Sequence, residues 1–195
     1  MSEIYPGPMT SRCFDGFKLE AVGQWWIAGV PATGGSKKLL LQPHKGRREA
    51  LVNYKIVDDC ARNAGWRDAV AAQVIQTFAG PPFPARTPLI VHAAFVLPTP
   101  KSFRTADGQI SPHMRPLHCT KPDASKLWRA AEDALTGILW YDDANIVQQT
   151  VDKFYTHQWE GPEEPGLWLA VWRVVVPSTW RQQTRRRDRK RAEGG

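Results

Sequence analysis

The residues whose types and spacing suit chemistry run from Lys121-Pro122-Asp123-Ala124-Ser125-Lys126-Leu127-Trp128-Arg129, through Glu132 and Asp133, to Trp140-Tyr141-Asp142-Asp143-Ala144-Asn145-Ile146. Carboxylates stand at both ends of a short amphipathic stretch, and cations lie between them. Magnesium and similar hard cations take oxygen ligands from one or two carboxylates plus phosphate and water, and they activate water for phosphodiester hydrolysis. The chemistry suggested is therefore that of a nuclease. Arg129 follows Ser125 by one helical turn, so it shares the face of the leading end and is a candidate to hold a scissile phosphate. Each residue also has an ordinary reading: Asp123 as a helix N-cap, Arg129 with Asp133 as an ion pair, Asp142-Asp143 as turn residues. Spacing alone leaves both readings open.

The elements that must position these groups are legible in the apolar pattern. Leu127, Ala130, Ala131, Ala134, Leu135 and Ile138 fall on one side of a helix that starts after Pro122, with Gly137 near its end. Asp123 then sits at its start and Asp142-Asp143 just past its end, where a following strand runs back beside it; two carboxylates from different elements are expected to meet at one point. Alternation predicts strands over Ala144–Tyr155 and Leu167–Val176, and Leu89–Leu97 is apolar enough for a buried strand. Phe17–Val30 reads as a strand, with short strands at Leu39–Leu41 and Ala50–Tyr54. Trp66, Val70, Val74 and Phe78 recur every fourth residue and predict a helix that Gly80-Pro81-Pro82 stops. The expected fold is α+β, a single mixed β-sheet packed against two main helices. Trp25, Trp26, Trp66, Trp140, Trp168 and Trp172 are expected in the core or at a dimer interface rather than as stacking platforms.

The chain's 195 residues, 42% of them hydrophobic, fit one domain with a real core. Residues 1–176 are expected to form it, followed by a basic, flexible tail over 177–195. No apolar run of about eighteen residues and no leader-like N-terminus are seen, which predicts a cytoplasmic protein without membrane contact. Cys13, Cys60 and Cys119 suggest no disulfide framework, and His113, His118 and Cys119 match the spacing of no closed zinc site. The formal net charge is +7, and most of it is terminal. Between Arg181 and Gly195 seven basic residues, Arg185, Arg186 and Arg187 among them, face only Asp188 and Glu193. Such a tail either binds a polyanion by counterion release or is simply solvated. Lys37, Lys38, Lys45, Arg47 and Arg48 are further cations placed to meet phosphate or solvent.

The motifs together resemble the RusA family of Holliday-junction resolvases, whose pattern is approximately Lys-Pro-Asp-x-Asp-Asn-Leu-x-Lys, then Asp-Ala-Leu, then Asp-Asp and a later Lys. Lys121-Pro122-Asp123, Leu127, Asp133-Ala134-Leu135, Asp142-Asp143-Ala144 and Lys153 occur here in that order. The resemblance implies a homodimer, of the kind found in phages and bacteria, that binds branched DNA at four-way junctions and makes paired cuts with Mg2+ or Mn2+. It implies Asp123 and Asp143 as metal ligands with Asp142 adjoining, Arg129 in place of a family lysine, and Lys121, Lys126 and Lys153 toward DNA. The family's second acid is Ser125 here, and the following Asn is Lys126. Three readings follow: a site completed by water or by Asp133, a slowed enzyme, or a junction binder that no longer cuts.

Overall fold

The structure, a computed structural model, describes Phe14, residues 16–34, 63–112 and 117–177, and the backbone of 37–42 and 53–58. Its strands are β1 (Lys18–Ala28), β2 (Lys37–Gln42), β3 (Asn53–Asp58), β4 (Leu89–Leu97), β5 (Ile146–Tyr155) and β6 (Gly166–Val175), with helices α1 (Asn63–Ile75) and α2 (Ala124–Leu135). Four strands form one mixed sheet in the order β1-β6-β4-β5, in which β4 and β5 run parallel and the other neighbours antiparallel. The α+β expectation of a mixed sheet with two helices holds. One detail differs: β2 and β3 pair only with each other, as an antiparallel ribbon apart from that sheet.

All nine residues of β4 are buried because the strand is central and both of its faces are covered. Leu89, Val91, Ala93, Phe95 and Leu97 join the core beneath the helices, while Ile90 meets Trp172, Ala170 and Val174 on the opposite face. The helices supply their stripes by period: Trp66, Val70 and Val74 from α1, and Leu127, Trp128, Ala131, Ala134 and Leu135 from α2. Trp25, Trp66, Trp140 and Trp172 are buried as expected, and Trp140 is wholly so. Burying a side chain of that size contributes roughly 2–3 kcal/mol.

The connection that matters is β4–α2–β5. Parallel strands in one sheet need a crossover, and the returning helix must run antiparallel to both. Beyond α2, Gly137 adopts φ 84°, a left-handed conformation that lets the chain reverse into Leu139 and Trp140. A 3-10 turn over Asp143–Asn145 then precedes β5, so the strand starts two residues later than alternation predicts. Buried Asn145 explains the offset: its side-chain amide donates to the carbonyls of Phe83 and Pro84, and its Oδ1 accepts from the Arg86 amide. Among the described residues no helix is long and apolar enough to cross a membrane.

Candidate active site

The leading end of α2 is fixed from below by β5. Lys153 sends Nζ across to the carbonyl oxygens of Thr120 (3.1 Å) and Pro122 (2.9 Å), holding the segment that delivers Asp123 to the helix start. Charge-assisted bonds of this kind contribute about 1.5–3 kcal/mol each. Lys153, expected at DNA, is thus engaged with the protein's own backbone. Asp123 occupies the N-cap position, yet its side chain makes no capping hydrogen bond. Its half-exposed carboxylate instead has Lys126 Nζ at 3.4 Å. The turn after β1 lies over this end, where the Gly34 amide donates to the Lys126 carbonyl at 2.9 Å. A Cβ on Gly34 would stand 3.5 Å from the Ala130 amide nitrogen, in ordinary contact with the helix, so the turn packs directly on α2. Lys121, Asp123 and Lys126 share a cavity of about 520 Å³ formed between turn and helix.

A groove on the next faces of α2 is lined by Ser125, Trp128, Arg129 and Glu132, with Gln149 and Val151 of β5 as its other wall. Glu132 is the acid that the sequence reading passed over. It is half-buried and accepts a hydrogen bond from Trp128 Nε1 at 3.1 Å. Burial holds its pKa above the ordinary carboxyl value; the Trp128 bond and Arg129 oppose this, while the charges of Asp143 and Asp133 add to it. The helical period carries the missed signal, since Glu132 lies two turns beyond Ser125 on the same face.

A carboxyl whose folded pKa is raised stabilises the fold only while protonated; that stability is present below its unfolded pKa and lost as pH rises through the folded one. Glu132→Gln keeps an acceptor for Trp128 and removes the charge. Its thermal midpoint is expected to exceed that of the wild type at neutral pH and to match it below the carboxyl range. A midpoint at or below the wild-type value at neutral pH would show that the charge there is not penalised.

The two ends of α2 separate the acids expected to converge. Asp143 opens the turn before β5, near Glu132, whereas Asp123 stands at the opposite end, and a twelve-residue helix spans about 18 Å. The strand does run back beside the helix, but the residue it brings to Asp123 is Lys153. Asp142 spends Oδ1 on the Ala144 amide at 2.9 Å, the ordinary turn role. Arg129 and Asp133 are both exposed and form no ion pair with each other. Among the described residues no three His, Cys, Asp or Glu side chains are placed to hold one metal ion. Lys37 and Lys38 open β2, opposite Asp58 and Val57. Arg185, Arg186 and Arg187, His113, and the cations Lys45, Arg47 and Arg48 lie outside the described residues.

A search of curated proteins finds no match. Residues 42–161 match the family described as endodeoxyribonuclease RusA, a segment that holds β3, α1, β4, α2 and β5 with Asp123, Glu132, Asp133, Asp142 and Asp143. With more than half of its length matched, the chain belongs to the RusA endodeoxyribonuclease family.

Proposed function

We propose that this protein is a structure-selective endodeoxyribonuclease that resolves Holliday junctions or other branched DNA by metal-dependent phosphodiester hydrolysis. The observation that carries the reading is the RusA family match across α2 and its flanking acids. The reading includes a role in recombination or repair in the cytoplasm of a bacterial or phage-infected cell, which the family match supports without fixing. Asp123 and Asp143, with Asp142 beside the latter, are the residues proposed to hold Mg2+ or Mn2+. Asp123 is half-exposed and is not used to cap its helix, so its carboxylate is open to such an ion, but Asp143 stands at the other end of α2 and the set fits one ion only if a second chain brings its own Asp143 end alongside. When bound, the metal supplies a lowered pKa for an attacking water and a counter-charge for phosphate. Arg129 is proposed to orient the phosphate from the exposed face of α2, and Lys121, Lys126, Lys37, Lys38 and the tail arginines Arg185, Arg186 and Arg187 to contact DNA.

The separation of Asp123 from Asp143 within one chain favours a homodimer. A two-fold axis repeats each surface, and a four-way junction offers two equivalent strands. Antiparallel apposition of two α2 helices sets the Asp123 end of one against the Asp143 end of the other, so a paired arrangement supplies what one chain lacks. Light scattering at micromolar concentration is expected to give twice the chain mass; a strictly monomeric mass, with and without junction DNA, would exclude this arrangement.

A gel assay on a labelled synthetic four-way junction, with and without Mg2+, tests the function directly. Binding with paired, Mg2+-dependent nicks is the expected outcome. Ser125, a hydroxyl where the family has an acid, favours the second reading of a junction binder with weak or no cleavage, and binding without nicks would select it.

A further inference from the structure

We propose that the cavity at the leading end of α2 receives one unstacked nucleobase of branched DNA, with the adjoining phosphates on Lys121 and Lys126 at its rim. The inference rests on the nuclease reading above and adds to it a device for distinguishing branched from linear DNA. At about 520 Å³ the cavity lies within the ordinary range for small-ligand sites and admits a single base. Its character changes from rim to interior. The two lysines at the mouth are exposed, and Asp123 lies beside them. Inward, the walls come from three separate connections: buried Pro31 and Ala32 after β1, half-buried Pro100 after β4, and half-buried Pro122 before α2. Proline rings give flat apolar sides that suit the face of a base and offer nothing to a phosphate.

The floor is aromatic and closely packed. Tyr155 is 2% exposed and His118 9%, with ring centroids 4.3 Å apart and planes tilted by 31°. Phe103 meets Tyr155 edge-on from the far side at 5.4 Å, so the floor is braced rather than loose. Burial lowers the His118 pKa, and the charge of nearby Lys153 adds to the effect, although backbone hydrogen bonding opposes it. A neutral imidazole in the floor suits an uncharged base edge. Cations outside and apolar, uncharged groups inside sort a nucleotide by its own polarity: phosphate at the rim, base within.

Branched DNA is the source that the position favours. Unpairing a base costs a few kcal/mol in a duplex and least where pairing is already weakened, as at a branch point. Asp123 lines the same cavity, so a base seated there brings its own backbone next to a proposed metal ligand. Fully paired linear DNA gains nothing from the cavity unless that cost is met.

The test uses the full chain and fills the cavity from its mouth. Val30 is 52% exposed and lines it, so Val30→Trp blocks entry at little risk to the fold; Thr33→Phe, from a second wall residue, guards against a local effect. Affinity is measured for three probes: a linear duplex, a paired four-way junction, and the same junction with mismatches at the branch-point pairs. The wild type is expected to bind the mismatched junction about tenfold tighter than the paired one, because unpairing is already done. Both filled variants should keep their duplex affinity and thermal midpoint while losing that gain. Equal affinity of the wild type for the two junctions overturns the proposal, as does a gain retained in both variants. Saturable binding of free thymidine monophosphate, blocked by Val30→Trp while the junction gain persists, would reassign the cavity to a free nucleotide and also overturn it. Cleavage of the paired junction is followed in parallel. A wild type that cuts yet ignores mismatches refutes the pocket alone, whereas one that neither binds nor cuts junctions refutes the nuclease reading beneath it.

Discussion

Asp143→Asn is expected to abolish junction cleavage while leaving junction affinity unchanged or higher. The side chain opens the 3-10 turn before β5, and the hydrogen bond that shapes this turn belongs to Asp142, so the substitution leaves the local fold intact. What it removes is a hard anionic ligand. Losing metal stabilisation of about 4 kcal/mol in the transition state lowers the rate about a thousandfold. Affinity moves the other way, because a negative charge facing phosphate is gone. Asp143 is also one of the charges that raise the Glu132 pKa, so its neutralisation eases the burden on the buried acid rather than destabilising the fold. Single-turnover cleavage and fluorescence anisotropy on one labelled junction separate the two effects. Cutting at the wild-type rate would remove Asp143 from the site.

Ser125→Asp is expected to raise cleavage at limiting Mg2+ by about tenfold or more, since ~1.4 kcal/mol of added stabilisation gives that factor. Ser125 is exposed in the first turn of α2, where the helix dipole tolerates negative charge, and Lys126 and Arg129 flank it. A carboxylate there restores the family's second acid. The response of rate to Mg2+ concentration should shift to the left with little change at saturation. Reduced activity would mean that another group, Glu132 or Asp133 or a bound water, already completes the site and is crowded by the newcomer. No cleavage from either protein would sink the nuclease assignment and favour the junction binder.

The helices and sheet strands were legible because their periods are strong: Leu89–Leu97 is a strand over the residues its composition marks, and α2 follows Pro122 with the expected stripe. Boundaries slipped where a single side chain overrides the pattern, as buried Asn145 does in delaying β5. The separate β2–β3 ribbon was not legible, since alternation marks a strand and says nothing about its partner. The acids were found by type, but not their relation to one another. Asp123 at the start of α2 and Asp143 past its end were both readable from the apolar pattern; that the strand running back brings Lys153 and no acid to Asp123 depends on the register of β5 beside β4, which no local spacing encodes. Lys153 was visible as a cation, yet its bonds to Thr120 and Pro122 depend on the same register. Glu132 stood in view, and only the packing of Trp128 and β5 around it makes it unlike the exposed acids nearby.

The order β1-β6-β4-β5 has a consequence for how the chain reaches this state. β6, the last of the described strands in sequence, lies between β1 and β4, so Lys18 pairs with Val175 and the sheet has no continuous interior until that strand arrives. Until then β1 has no neighbour and the apolar β4 shows one bare edge, a template for unwanted pairing. Contacts so distant in sequence must overcome a large loop-closure entropy and slow the closing of the sheet. During synthesis, the helices and the β4–α2–β5 crossover must wait as an incomplete layer on the ribosome, and the sheet closes like a zip only when Gly166–Val175 has emerged.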